Sequence, residues 1–420
     1  MRSGVPPMSH LDLVEFLDTS PVSVFAADNL VHLFQDQGWQ TLDPAQEWHL
    51  ESGHGYILHW GPGCVVALTA GDAPTGWKIA AAHTDSPGLK LKLNAHHPLP
   101  HNLHRWGVEV YGGPLLATWT DRTLGVAGQV WFHAETGPRS RRLRTEGLAV
   151  IPNLAIHYNR EANKGTALDP QTQLNALADV PSFTHWKDWA SRRLSEDPEK
   201  FLAADLFLVD TQGASLGASG LLQSGRLDNL AGCQALAEAL LTASTSSPAW
   251  RIALFLDHEE IGSRTAWGAD SGLLPRLLDR LNQGFTPTEV YRQQSSSFLV
   301  SVDAAHGLHP NYSDRHDSAY APVLGGGPVL KTSARQSYAT TAETEARFRW
   351  FTRSYEGPLQ EYIMRSDLVP GSTVGPLLAA SANLAAIDVG IPLWAMHSVR
   401  ETAHQADQHH LINLLTTYWR

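Results

Sequence analysis

The 420-residue sequence has few cysteines and few charged residues. Cys64 and Cys233 are its only cysteines, which excludes a disulfide framework and a metal site built from several thiolates. Charged residues make up 17% of the chain, against about 25% in ordinary globular proteins, which excludes a highly charged, disordered protein. The formal net charge is −11, so there is no overall positive field to attract nucleic acid or an anionic membrane. We expect neither as a partner.

Long apolar runs are also missing from the sequence. The most apolar late stretch, residues 376–396, is interrupted by Asn383, Asp388 and Pro392, so it does not resemble a membrane-spanning helix. The first residues, MRSGVPPM, do not lead into the apolar segment of an export signal. Together with the low cysteine content, these features predict a cytoplasmic protein.

The pattern of apolar residues and glycines divides the chain into two parts. Between residues 93 and 217, short strand-like pieces are separated by glycines, which predicts a β-rich insertion. Residues 1–92 and 218–420 alternate helical patterns with short, continuous apolar runs. Such runs are typical of strands buried on both faces, so we expect an α/β domain with a mixed central sheet covered by helices.

Potential metal ligands follow predicted strands at four places. The strands and the side chains after them are 77–82 with His83, 252–256 with Asp257, Glu259 and Glu260, 298–302 with Asp303, and 392–396 with His397. Ligand sites in open α/β sheets lie at the carboxyl ends of the strands, so these side chains should converge.

Asp228, between Gly225 and a predicted helix, is a possible fifth ligand. Two histidines and three carboxylates suit Zn²⁺, with Co²⁺ or Mn²⁺ possible, and five side chains exceed what one four-coordinate ion needs. The excess favours two ions that share a carboxylate. Each residue also has a simpler interpretation: Asp228 as a helix cap, Asp303 as a turn former and His397 as a core histidine. The recurrence at several strand ends favours the metal site.

Glu259 and Glu260 are adjacent, and two carboxylates after a buried strand are costly unless a cation is near. One could be a ligand and the other a general base. In His83-Thr84-Asp85, the first and third residues lie on the same side of an extended chain, so Asp85 could orient the His83 ring. The alternative for the glutamate pair is an exposed acidic turn.

Several contiguous stretches resemble the aspartyl aminopeptidases, dinuclear zinc exopeptidases with a phosphorylase/hydrolase-like α/β core. They are AAHTDSPGLKLK (81–92), GVEVYGGPLLATWTDRTLGVAG (107–128), IPNLAIHYNR (151–160), SGRLDNLAG (224–232), DHEEIGSRTAWGA (257–269), SVDAAHGLHPNY (301–312), RSDLVPGSTVGP (365–376) and AMHSVRE (395–401). The resemblance covers almost the whole chain.

This resemblance implies roles for individual residues. One zinc would be held by His83, Asp228 and Asp303, and the other by Asp228, Glu260 and His397, with Asp228 bridging. Glu259 would be the general base, and Asp85 would orient His83.

The resemblance also implies an assembly. Residues 93–217 would be a dimerisation domain, with dimers assembling to a homododecamer, and His157 would reach the active site of a neighbouring subunit. The simpler interpretation of His157 is an interface histidine.

Two further segments are candidates for substrate binding. GGPVLKTSARQSYAT (326–340), which contains Lys331 and Tyr338, lies where the family is expected to recognise an acidic side chain. The alternative for Lys331 is a solvated surface charge. Backbone N–H groups of the Gly371-Ser372-Thr373 segment could hold a substrate oxygen, or the segment could be a tight turn. The triple glycine 325–327 lacks the Lys-Ser/Thr of a phosphate-binding loop and is interpreted as a plain loop.

These observations predict a cytoplasmic metallo-aminopeptidase with two Zn²⁺ ions per chain that removes N-terminal residues, preferably Asp or Glu, from short peptides. A dinuclear carboxypeptidase or amide deacylase, and a catalytically silent scaffold of the same fold, are the alternatives.

Overall fold

A computed structural model describes residues 10–71, 76–165, 167–180, 183, 185–243 and 249–420. The N-terminal sequence MRSGVPPM, on which part of the expected location depends, lies outside these residues. The helices are α1 Leu13–Thr19, α2 Ser23–Asp36, α3 Trp186–Leu194, α4 Leu227–Thr242, α5 Leu273–Leu281, α6 Pro287–Ser296, α7 Ala342–Phe351, α8 Val374–Ala382 and α9 Gln405–Trp419. None of the helices in the described ranges has both the length and the apolar character needed to span a bilayer.

The strands are β1 Gln40–Thr41, β2 Gly55–Gly61, β3 Cys64–Thr69, β4 Trp77–His83, β5 Gly88–Pro98, β6 Leu103–Tyr111, β7 Leu124–Ala134, β8 Gly137–Arg144, β9 Ala149–Val150, β10 Ala176–Asp179, β11 Phe201–Asp210, β12 Ser215–Leu216, β13 Leu221–Ser224, β14 Trp250–Leu256, β15 Phe298–Val302, β16 Ala305–His306, β17 Val329–Lys331, β18 Gln360–Tyr362, β19 Ala386–Gly390, β20 Pro392–Leu393 and β21 Glu401–His404.

The larger sheet has the strand order β1-β2-β3-β14-β4-β15-β19-β17-β18. Its centre, β14-β4-β15-β19, is parallel, and antiparallel pairs flank it at β3 and β17. Neighbouring residues of β4 enter different hydrophobic cores, Ile79 and Ala81 one and Ala80 and Ala82 the other, as the two-residue period of a strand requires. The sheet is therefore buried on both faces.

Helices cover these two faces. Side chains of α2, α4 and α9, such as Leu30, Leu236 and Leu414, pack in the core with Ala80. Side chains of α5 and α8, including Leu277 and Leu378, pack in the core with Ile79. This confirms the predicted mixed α/β sheet between helices.

A second sheet has the order β11-β5-β6-β10-β9-β7-β8, and β11 also pairs with β7, which closes it on itself. All its pairings are antiparallel, and α3 packs Trp186 and Trp189 against Trp106 of β6. Its first strand begins at Gly88, five residues before the predicted insertion. The division into 1–92 with 218–420 and 93–217, and the dimerisation role, stay predictions.

The prediction of a central strand at 392–396 is wrong. The strand that joins the larger sheet is β19. Of residues 392–396, Pro392 and Leu393 form a small pairing with β16, and Trp394 makes a single bridge to Thr402. The apolar stretch before His397 is long enough to place the central strand either at 386–390 or at 392–396. Gly390 and Pro392 divide the stretch between these two positions. His397 therefore lies on a loop, where its φ is +67°.

Candidate metal centre

Three neighbouring parallel strands carry the first group of candidate ligands. His83 is the last residue of β4, and Asp303 directly follows β15. Glu259 and Glu260 lie in a short 3₁₀ turn, Glu259–Ile261, just after β14. Because β4 lies between β14 and β15, the carboxyl ends of the three strands bring these side chains together.

Asp228 reaches the same place from the start of α4. Its backbone angles are not helical, and the N-cap residue is Arg226, so the interpretation of Asp228 as a helix cap is wrong. The side chain of the next residue, Asn229, donates a hydrogen bond to the Val302 carbonyl at 2.8 Å. Asp228 is thus held beside the end of β15, and it is 4% exposed.

The candidate ligands form two groups of three that share Asp228. The first group is His83, Asp228 and Asp303, and the second is Asp228, Glu260 and His397. In each group, one ligand atom per residue lies within 4.8 Å of the others.

The two oxygens of Asp228 face different histidines. Its Oδ1 is 3.4 Å from Nε2 of His83, and its Oδ2 is 3.6 Å from Nε2 of His397. His83 Nε2 is also 3.7 Å from Asp303 Oδ1, and His397 Nε2 is 3.4 Å from Glu260 Oε2. One carboxylate therefore lies between two sets of donors.

The donor set fits zinc. Asp228 Oδ1 and Glu260 Oε1 are buried, and neither has a hydrogen-bond partner within the described ranges. A buried carboxylate oxygen without a partner is costly, and a cation would relieve that cost. Imidazole nitrogens and carboxylate oxygens are ligands that Zn²⁺ takes.

Burial and mutual repulsion shift the acidities of this cluster. Burial, opposed by His83 and reinforced by the charges of Asp303, Asp228 and Asp85, raises the pKa of Glu259 to about 8. Burial and then Asp228 raise the pKa of Glu260 well above its ordinary value. Burial also pushes up the pKa of Asp303, but Lys331 and His83 outweigh it and lower the pKa to about 2. The cluster is short of positive charge at Glu259 and Glu260.

Asp85 faces Nδ1 of His83 with two of its oxygen atoms. The nearest Asp85 atom to His83 Nδ1 is the backbone carbonyl, at 3.1 Å, whereas the carboxylate Oδ1 is 3.4 Å away. The carboxylate also accepts hydrogen bonds from the backbone N–H groups of Glu259 at 3.0 Å and Glu260 at 3.1 Å. Asp85 therefore touches both the His83 ring and the glutamate turn.

A family model described as "Aminopeptidase I zinc metalloprotease (M18)" matches residues 16–419. The chain belongs to the M18 family of zinc metalloproteases. It is accordingly an aminopeptidase, a hydrolase that acts on peptides.

Relatives match over nearly their whole length. A protein of Pseudomonas syringae pv. syringae named "Probable M18 family aminopeptidase 2" is 38% identical over 97% of each chain, and one of Ectopseudomonas mendocina with the same name is 37% identical over 97% of each. Among solved structures, the one titled "Cryo-EM structure of the Ape4 and Nbr1 complex" has a TM-score of 0.92 and 31% identity, covering 98% of this chain and 85% of that one. An M18 aminopeptidase from Thermotoga maritima has a TM-score of 0.84 at 21% identity, covering 97% and 94%, and shares the fold.

In this M18 chain, Lys331 is not a surface charge, so that alternative is wrong. It is 1% exposed, and its Nζ donates to the Ala304 carbonyl at 3.0 Å and lies 3.5 Å from Asp303 Oδ2. The ammonium also lies 5.0 Å from the centre of the Tyr338 ring. Lys331 and Tyr338 are therefore adjacent to the first group of ligands.

His157 and Gly371 do not belong to the cluster. His157 is exposed on a loop whose apolar side chains Leu154, Ile156 and Tyr158 are exposed as well. Gly371 is exposed in the loop before α8, and two residues later the Thr373 hydroxyl donates to Asp388 at 2.5 Å. Binding roles for both stay predictions.

Sequence reasoning missed Glu401. This buried carboxylate accepts hydrogen bonds from the backbone N–H groups of Asp228 at 3.0 Å and His397 at 2.7 Å, so it holds two candidate ligands in place. Glu401 ends the AMHSVRE stretch, but a single glutamate carries no spacing signal that could reveal this contact.

The triple glycine is a loop, as expected. The N–H groups of Gly325 and Gly327 both donate to the Asp407 carboxylate at 2.7 Å, so their donors are already used within the protein.

Proposed function

We propose that this M18 aminopeptidase is a dinuclear zinc enzyme that removes N-terminal Asp or Glu from short peptides, in the cytoplasm. The position of Asp228 carries the dinuclear part of the proposal. Its two oxygens face His83 and His397 separately, and the remaining ligands, Asp303 and Glu260, divide between the same two sides. A single ion could not contact both sets at once in the tetrahedral arrangement usual for zinc.

The residues then have distinct roles. His83, Asp228 and Asp303 would hold one ion, and Asp228, Glu260 and His397 the other. When bound, the ions supply Lewis acidity towards the scissile carbonyl and the attacking water.

Glu259 is close to His83 and Glu260 and is partly buried. When bound zinc favours its ionised form, it can accept the proton of the attacking water and pass it to the leaving amine. Asp85 fixes the backbone of Glu259 during these steps.

The acidic preference is proposed from Lys331. A buried ammonium beside Asp303 and over the Tyr338 ring would attract a substrate carboxylate near the first group of ligands. The Gly371-Ser372-Thr373 segment would add backbone N–H groups for a substrate oxygen.

The assembly proposal concerns the second sheet and the loop of His157. Exposed apolar side chains at Leu154, Ile156 and Tyr158 favour contact with another protein surface. We propose a homodimer formed through residues 93–217, with dimers assembling to a homododecamer and His157 facing a neighbour's site.

The test of the dinuclear site is metal content combined with turnover. The protein reconstituted with Zn²⁺ should bind close to two ions per chain and hydrolyse Asp-initiated peptides. Asp228→Ala should lose both ions together, and His83→Ala mainly one. Asp279→Asn, an exposed acid on α5, is the matched control and should keep both. One ion per chain in the wild-type protein would refute the dinuclear proposal.

A second experiment tests which end of the peptide is recognised. Acetylating the substrate's amino group should abolish hydrolysis, and amidating its carboxyl group should not. The reverse result would identify a carboxypeptidase.

A further inference from the structure

A turn of the second sheet extends into the metal cluster. Tyr111 is the last residue of β6, which belongs to the second sheet, and residues 112–115 follow it. The candidate ligands lie at strand ends of the larger sheet, at the start of α4 or on a nearby loop. Tyr111, Gly112, Gly113 and Leu115 each approach Asp85, Glu260 or His397. We call these residues the 111–115 segment.

Tyr111 completes the hydrogen bonds of Asp85. Its hydroxyl donates to Asp85 Oδ2 at 2.8 Å, the same oxygen that accepts the N–H of Glu260. The other oxygen accepts the N–H of Glu259. A carboxylate fixed at both oxygens can hold the glutamate turn in one position. Without the hydroxyl, Oδ2 keeps only the N–H of Glu260, so the carboxylate is held less firmly.

The rest of the segment contacts the second group of ligands. The Gly113 carbonyl lies 3.0 Å from His397 Nδ1, which fixes the proton there and leaves Nε2 facing Asp228 and Glu260. The Leu115 N–H donates to the His397 carbonyl at 2.9 Å.

Gly112 packs against Glu260. A Cβ at this position would lie 3.1 Å from the Glu260 carbonyl oxygen and 3.2 Å from its Cβ. A side chain at this position would therefore require Glu260 to shift by a few tenths of an ångström.

We propose that the 111–115 segment is a positioning element for the aminopeptidase reaction, in which Tyr111 acts through Asp85 on Glu259 and Glu260, and Gly112, Gly113 and Leu115 fix Glu260 and His397. The inference rests on the proposed roles of those ligands. It makes the catalytic geometry depend on the second sheet, even though the ligands themselves lie outside that sheet.

The first test is Tyr111→Phe, which removes the hydroxyl and keeps the ring. Loss of such an outer partner typically costs about 10- to 100-fold in activity. With saturating Zn²⁺, kcat should fall by about tenfold or more while KM changes by less than about twofold, because the change affects the glutamate turn and not the substrate.

Tyr418→Phe is the matched control. It removes a buried hydroxyl that donates to the Phe298 carbonyl at 2.7 Å, away from the ligands, so it should lower thermal stability and leave kcat unchanged. If Tyr111→Phe also changes only stability, Tyr111 is structural and the inference is wrong.

A double-mutant cycle tests the route through Asp85. If Tyr111 acts through that carboxylate, adding Tyr111→Phe to Asp85→Asn should lower kcat little further. Fully additive losses would refute the coupling.

The second test is Gly112→Ala with Gly284→Ala as its control. Both glycines have positive φ, +69° and +94°, so both substitutions strain the backbone, but a Cβ on Gly284 meets nothing within 4 Å. Gly112→Ala should therefore weaken binding of the second zinc ion by about tenfold or more, measured by Zn²⁺ titration, while Gly284→Ala should not. If Gly112→Ala and Gly284→Ala bind Zn²⁺ with equal affinity, the contact between Gly112 and Glu260 has no positioning role.

Failure of this inference is distinguishable from failure of the proposed function. An inactive wild-type protein on Asp-initiated peptides would contradict the function, whereas an active wild-type protein matched by Tyr111→Phe would contradict only the inference.

Discussion

Glu259 and Glu260 are neighbours, yet they should respond differently to the same substitution. Glutamine keeps the size of each side chain and removes its charge. Glu260 belongs to the second group of ligands, and its Oε2 lies 3.4 Å from His397 Nε2. Glu259 lies near His83 and Glu260 but belongs to neither of the two groups that share Asp228. Glu259→Gln should therefore lose turnover while keeping metal, and Glu260→Gln should lose metal first.

The surroundings of Glu259 set the size of the effect. A positioned general base contributes about 10²- to 10⁴-fold to the rate, or about 2.7 to 5.4 kcal/mol of activation free energy. Burial, opposed by His83 and reinforced by Asp303, Asp228 and Asp85, raises the pKa of Glu259 in the zinc-free protein. Bound zinc would lower that pKa again, so the carboxylate would be ionised and able to accept the proton. We expect a loss of about 10³-fold or more in kcat for Glu259→Gln.

The assay measures zinc content, peptide binding and kcat for each variant. Glu259→Gln should hold as much zinc as the wild type and bind peptide normally. Glu260→Gln should recover part of its activity at high Zn²⁺ or Co²⁺. Metal loss in Glu259→Gln with a metal-replete, inactive Glu260→Gln would mean that the roles are exchanged. If both variants keep metal and activity, the pair is a simple acidic turn and the mechanism is wrong.

Three other predictions concern the same site. Lys331→Met should lower turnover of Asp- and Glu-initiated peptides more than that of Leu-initiated peptides. Loss of the contact with Asp303 affects all substrates, but loss of the positive charge affects the acidic substrates further. An equal fall in turnover for all three peptides would contradict a role of Lys331 in selectivity. Mixing His157→Ala chains with Glu259→Gln chains should restore part of the turnover, and no recovery in verified mixed oligomers would leave His157 structural. In the zinc-free protein the pKa of Glu259 is raised from 4.5 to about 8. At a pH between these two values, the folded state holds a proton that the unfolded chain has lost. The melting temperature should therefore fall as the pH rises towards 8. Glu259→Gln should flatten that fall.

The sequence predicted that side chains at the ends of neighbouring strands converge. His83 and Asp303 come at the ends of β4 and β15, and the short apolar runs that predicted those strands have few other conformations available once both faces are buried. Their meeting in space follows from parallel pairing, which the alternation of strands and helices already favoured.

The residues that hold the candidate ligands in place could not be predicted from local sequence patterns. Glu401 acts on backbone N–H groups of Asp228 and His397, which lie 173 and 4 positions away, and Tyr111 reaches Asp85 from another sheet. Such contacts depend on which strands pair and where the connecting loops lie, and periodicity carries no information about either. The prediction of a strand before His397 was wrong for a related reason. An apolar run indicates that a segment is buried, but it does not indicate which sheet the segment joins.

The distribution of charge gives the site a further property. Burial disfavours the charged forms of Glu259, Glu260 and Glu401 and raises their pKa values. On the other side of the cluster, Lys331 forms an ion pair with Asp303. Zinc would favour the ionised forms of Glu259 and Glu260, so zinc binding should release protons and stabilise the fold together. The ends of β4, β14 and β15 would then be held by the same ions that take part in the reaction, and the ligand geometry would be set most firmly in the loaded enzyme.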